Sequence, residues 1–118
     1  MSTRCDIIIK DNKSGTSIKL FHRLDGYPKG VGKFLVEKVL EQIKVKPNFG
    51  ISEVANFLVK NREDEDYMIT NGTHPDIEYR YCINTSKKEV TCQKVHYEQV
   101  GNHLELVVDR KIDLTNEI

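Results

Sequence analysis

Ile77-Glu78-Tyr79-Arg80-Tyr81-Cys82-Ile83-Asn84 is the stretch on which the fold turns. Ile77, Tyr79, Tyr81 and Ile83 alternate with Glu78, Arg80, Cys82 and Asn84, and a period of two is the mark of a strand with one buried face. Upstream, Asn71-Gly72-Thr73-His74-Pro75 turns the chain, and Tyr67 to Thr70 begins the strand-forming block. Downstream, Glu89 to Tyr97 and His103 to Arg110 complete a meander, with Leu104, Leu106 and Val108 on one face. The tail from Lys111 has no pattern long enough to assign.

The N-terminal half reads differently. Arg4 to Lys10 is isoleucine-rich, Asp11 to Gly15 is turn chemistry, and Ser17 to Arg23 sets Ile18, Leu20 and His22 against Lys19, Phe21 and Arg23, which predicts a hairpin. Asp25 to Gly32 carries three glycines and a proline and reads as a structured loop. From Val31, apolar residues at Val31, Phe34, Leu35, Val39, Leu40 and Ile43 fall at helical spacing, with Glu37, Lys38, Glu41 and Lys44 opposite. Lys46 to Gly50 ends that helix, and Ser52 is placed to cap a second one burying Val54, Ala55, Phe57 and Leu58. The acidic run Glu63 to Asp66 reads as a solvated connector.

The order ββ-αα-ββββ predicts a single α+β domain over residues 1–118, a six-stranded antiparallel sheet with two adjacent helices inserted after the first hairpin. Two short helices leave part of such a sheet uncovered, so a homodimer or larger homo-oligomer is expected.

With 118 residues the chain is too short for a two-domain enzyme. Its 18 basic and 18 acidic residues cancel, which argues against a protein that coats long nucleic acids. The balance conceals two opposite halves: residues 1–62 hold twelve Lys/Arg against six Asp/Glu, and the remainder holds the reverse. No membrane-spanning run and no secretory signal are visible, so a cytoplasmic location is expected. Cys5, Cys82 and Cys92 lack CxxC spacing and read as reduced structural thiols. The sequence holds no P-loop, GxGxxG, HExxH or GxSxG pattern, and the spacing of His74, Cys82, Cys92, His96 and His103 fits no familiar metal site. The expectation is a non-enzyme without cofactor or metal.

Binding chemistry concentrates in His22-Arg23-Leu24-Asp25-Gly26-Tyr27-Pro28-Lys29-Gly30-Val31-Gly32. Arg23, Lys29 and Lys33 bring positive charge, Tyr27 an aromatic face, and Gly26 and Gly30 a backbone that a ligand can approach. Amides at the following helix start would favour an anion, so a phosphate fits. The competing reading is a demanding turn at Asp25-Gly26 and Tyr27-Pro28, with Tyr27 packed on the sheet. Tyr79 and Tyr81 read either as core tyrosines or, at a subunit boundary, as stacking platforms for a base, and Asn84 is placed for a neighbouring pocket.

Ser2-Thr3-Arg4, His22-Arg23 just before Asp25-Gly26-Tyr27-Pro28, a helix directly after, and Asp76-Ile77-Glu78-Tyr79-x-Tyr81 together resemble the Thoeris anti-defence 1 family of phage proteins. The resemblance implies a sponge that binds a cyclic ADP-ribose signal (glycocyclic ADP-ribose) made by bacterial TIR-domain defence enzymes and holds it uncleaved, in pockets where protomers interlock. It does not assign ligand contacts residue by residue. The alternative from another class is a phage or prophage interaction module that blocks a host protein.

Overall fold

The computed structural model describes residues 3–60 and 67–117; the acidic run 63–66 and Ser2 lie outside the described residues. Six strands form one sheet: β1 (Cys5–Lys10), β2 (Ser17–His22), β3 (Met68–Thr70), β4 (Tyr79–Asn84), β5 (Glu89–Val100) and β6 (His103–Ile112), in the spatial order β3-β2-β1-β4-β5-β6. The class is α+β.

The sheet is mixed, which corrects the antiparallel expectation. β1 pairs antiparallel with β2 but parallel with β4, Cys5 opposite Tyr79 and Lys10 opposite Asn84. Parallel neighbours need a long crossover, and the chain supplies one: the second hairpin strand, the helices and the edge strand β3 all intervene between β1 and β4. Alternation in Tyr79 to Ile83 reveals which face is buried, but it carries no information about the direction of a neighbour.

The helical side also differs in detail. Residues 28–45 are helical throughout: π-helical turns at Pro28–Gly32 and Leu35–Val39 lead into α1 (Leu40–Val45), and α2 (Ile51–Lys60) follows. Pro28 to Gly32, read from sequence as loop, is therefore the first helical turn. Pro28 is suited to that position because its fixed φ matches the helix and its missing N–H is not needed there. The wide turns are visible in the Lys33 N–H bonding to the Pro28 carbonyl and the Leu40 N–H to the Leu35 carbonyl. Ser52 sits inside α2 rather than capping it; the Glu53 carboxylate instead accepts from the Gly50 N–H at 2.8 Å, half of a capping box. A short α3 (Leu114–Glu117) ends the chain.

The main core lies between the helices and one face of the sheet, where Cys5, Ile7, Ile9, Leu20, Tyr81 and Ile83 meet Val31, Leu35, Val39, Val54 and Leu58. Each aliphatic side chain so buried contributes roughly 1.5–3 kcal/mol. The opposite face holds a smaller cluster of Phe21, Ile77 and Val95, with Tyr97 and Leu106 packed on it. Ile77 thus packs away from Tyr81, contrary to the face the alternation gave it, because it lies in the turn before β4, where its N–H meets the His74 carbonyl at 3.4 Å. The cysteines are free thiols; Cys5 and Cys92 are core residues, and burial raises the Cys5 thiol far above its ordinary range. Among the described residues, no helix is long and apolar enough to cross a membrane.

Candidate ligand-binding loop

Residues 22–33 connect β2 to the helical run at the Cys5 end of the sheet. The loop is fixed from beneath. The Gly26 N–H donates to the Thr3 carbonyl at 2.9 Å, and the Gly26 carbonyl accepts from the buried Tyr81 hydroxyl at 2.7 Å. Asp25 adopts a left-handed φ of 52°, tolerable for an Asp.

The glycines serve close packing of the chain on itself. A Cβ at Gly26 would stand 2.9 Å from the Thr3 carbonyl oxygen, one at Gly30 would overlap the Asp25 carbonyl, and one at Gly32 would crowd Leu114 and the Tyr81 ring. The amides at the helix start are likewise engaged: Gly30 and Gly32 donate to the Tyr27 carbonyl at 2.9 and 3.5 Å, and Val31 donates to the Asp25 carbonyl at 2.8 Å. The sequence reading counted these amides as available to an anion, and that point is corrected. In a turn this tight, the carbonyls of residues 25 and 27 reach them first.

What remains directed outward is side-chain chemistry. Arg23, Asp25, Tyr27, Lys29 and Lys33 are exposed, and the Tyr27 hydroxyl lies 3.3 Å from the Asp25 carboxylate. Tyr27 is 40% exposed, which leaves part of its ring surface open to a stacking partner. Pro28 is half-buried and holds the turn.

The other expected residues separate. His22 is buried and stacks on Tyr67 at 4.0 Å between ring centroids, so it supports the loop from inside. Tyr81 is wholly buried as the tether of Gly26. Tyr79 pairs with Cys5 at the loop end of the sheet, half-buried, with the Lys94 ammonium 5.4 Å from its ring centroid. Asn84 is at the far end of β4, about 16 Å away at the rise of a strand. It accepts from the Ser86 and Lys87 N–H groups at 3.0 Å and donates to Asn12, so it organises the β4–β5 turn. Sequence reading missed Thr3, Lys94 and Leu114. Lys94 faces Tyr79 only through the β4–β5 register, which spacing along the chain does not give, and Leu114 sits in a tail too short for periodicity to register.

Among the described residues, no group of three His, Cys, Asp or Glu side chains is placed to hold a metal ion. No family model, curated protein or solved structure matches the chain.

Proposed function

We propose that this chain is a binding protein that sequesters a small cyclic nucleotide of the cyclic ADP-ribose type without cleaving it, the role the resemblance to phage anti-defence sponges implies. The observation that carries the reading is the combination of a rigid backbone with outward chemistry. The 25–32 segment is anchored through Thr3, Tyr81 and Leu114, while Arg23, Asp25, Tyr27, Lys29 and Lys33 remain exposed. Preorganisation of this kind lowers the ordering cost of capture. Arg23, Lys29 and Lys33 attract the pyrophosphate, Tyr27 stacks on the base, and Asp25 accepts from ribose hydroxyls. A second copy of the chain completes the enclosure in this proposal.

The test is a thermal-shift screen with cyclic ADP-ribose isomers and cyclic di- and trinucleotides, followed by heat denaturation of the complex. At a ligand concentration a hundredfold above Kd, binding stabilises by about 2.7 kcal/mol. Intact ligand returns to solution after heating; a cleaved product would show an enzyme. Arg23→Ala and Tyr27→Ala abolish the ligand-induced shift in proteins that still unfold cooperatively.

A second reading, an interaction module that blocks a host protein, is favoured by one observation. A shallow depression of about 620 Å³ on the outer helical surface is lined by Val36, Leu40 and Val45 together with Glu37, Lys38, Glu41 and Lys44, and Val45 is 71% exposed. If charge reversal at Glu37, Lys38 and Glu41 abolishes the protein's biological effect while Arg23→Ala does not, this reading replaces the first.

A further inference from the structure

At the opposite end of the sheet from the Arg23 loop, three turns line an open groove of about 390 Å³. One wall is the β1–β2 turn with Lys13, the second the β4–β5 turn with Lys88, and the third the connection from α1 to α2 with Pro47 and Phe49. We propose that this groove is a second binding site, for a phosphate group joined to a flat apolar moiety such as a nucleoside phosphate.

The β1–β2 and β4–β5 walls are tied together. The Thr85 N–H donates to the Lys10 carbonyl at 2.9 Å, the Asn12 N–H to the Ser86 hydroxyl at 3.0 Å, and the Asn84 amide to the Asn12 side-chain oxygen at 3.1 Å. The two lysine-bearing walls are therefore held to each other by hydrogen bonds, and the Phe49 wall packs against the main core beside them. The size of the groove falls in the range of small-molecule sites, roughly 300–1,000 Å³. Its walls supply both halves of the proposed ligand's chemistry: Lys13 and Lys88 for the anion, Pro47 and Phe49 for the flat group. A further cation, Lys46, holds its ammonium 5.4 Å from the Phe49 ring centroid. The one carboxylate in the lining, Asp11, is turned into its own loop, where it accepts from the Lys13 and Ser14 N–H groups and the Ser14 hydroxyl.

Lys88 adds an independent argument. It holds a left-handed φ of 54°, a conformation that glycine adopts freely and that costs other residues about 1–2 kcal/mol. A hairpin turn alone would be better served by glycine. A lysine here places a cation on the groove at a cost in stability, as expected where the side chain has a use.

The test is an amide NMR titration of the full chain with adenosine 5′-diphosphate, and with inorganic pyrophosphate and adenosine as separate arms. Shifts are expected at Lys13, Asn48, Phe49, Gly50, Ser86 and Lys88 with the diphosphate. Pyrophosphate reproduces them only near Lys13 and Lys88, and adenosine only near Phe49. Lys88→Gly weakens adenosine diphosphate binding about tenfold, the worth of one charge-assisted contact, and raises the thermal midpoint because the strained turn relaxes. Lys13→Ala gives a similar loss, and Arg23→Ala leaves binding here unchanged, which separates this site from the loop at the other end. Shifts confined to residues 22–33, or Lys88→Gly binding as tightly as the parent, overturn the proposal.

Discussion

The Tyr81 hydroxyl donates to the Gly26 carbonyl at 2.7 Å, joining the centre of the sheet to a turn 55 residues earlier in the chain. Tyr81 lies on β4, parallel to β1. The bond exists only where the crossover has brought β4 beside β1, so the shape of the loop depends on the assembled sheet.

Tyr81→Phe leaves the Gly26 carbonyl buried without that donor while preserving ring packing. Loss of a buried partner costs about 1–3 kcal/mol. Urea denaturation should show a lower midpoint with an unchanged slope, and amide exchange in residues 25–32 should accelerate more than in β1.

Gly30→Ala tests the close packing of the turn. An added Cβ would overlap the Asp25 carbonyl, which is backbone and cannot step aside without breaking the bond it accepts from Val31. A loss of about 2–4 kcal/mol is expected, in the range of strained or overpacked sites. Gly15→Ala is the control: φ is 68° but nothing lies within 4 Å, and the expected cost is about 1 kcal/mol.

Asp6 should respond to neutralisation. It is 2% exposed, its Oδ1 has no hydrogen-bond partner, and burial raises its carboxyl above the usual range despite Lys19, His74 and Arg80 nearby. A group whose folded pKa is raised stabilises the fold below its unfolded pKa and loses that contribution as pH rises through the folded value. Asp6 therefore disfavours the native state at neutral pH. Asp6→Asn should increase stability at pH 7 by about 1 kcal/mol, on the scale of a buried unpaired polar group, with no gain at pH 3. Equal effects at both pH values would contradict the assignment.

His96 gives a second pH effect. On the β5–β6 ribbon its Nδ1 lies 2.8 Å from Asp109 and its Nε2 3.3 Å from Glu98, and hydrogen bonds to Asp109 and then Glu98 raise its pKa. Its stabilising contribution is complete below the ordinary imidazole value and fades as pH rises through the raised one. The His96 ring protons should titrate above those of the unfolded chain by NMR, and His96→Gln should remove the alkaline loosening of amide protection in the ribbon.

Much of the fold was legible because its strands alternate. Tyr81 and Ile83 point one way and Arg80 and Cys82 the other, and the burial of Cys5, Ile7 and Ile9 follows the same rule. Local patterns fail where a residue's role is set by a distant one. Gly26, Gly30 and Gly32 had the look of a phosphate cradle; their neighbours proved to be Thr3, Asp25, Tyr81 and Leu114. Asn84, placed by sequence near a pocket, is spent on its own turn.

The sequence by itself determined the order of the elements as far as β6, the buried faces of β1 and β4 and the concentration of charge and aromatic character in residues 22–33, since all three depend on spacing along the chain; Leu104 and Val108, read as one apolar face of β6, stand exposed. Only the tertiary structure decided that β4 runs parallel to β1, that the amides of the first helical turn are already bonded, and that the turns at Lys13 and Lys88 face Phe49 across one groove. Those relations depend on which distant segments become neighbours. No local periodicity encodes that, because hydrogen bonding and packing between strands are settled by the whole sheet at once.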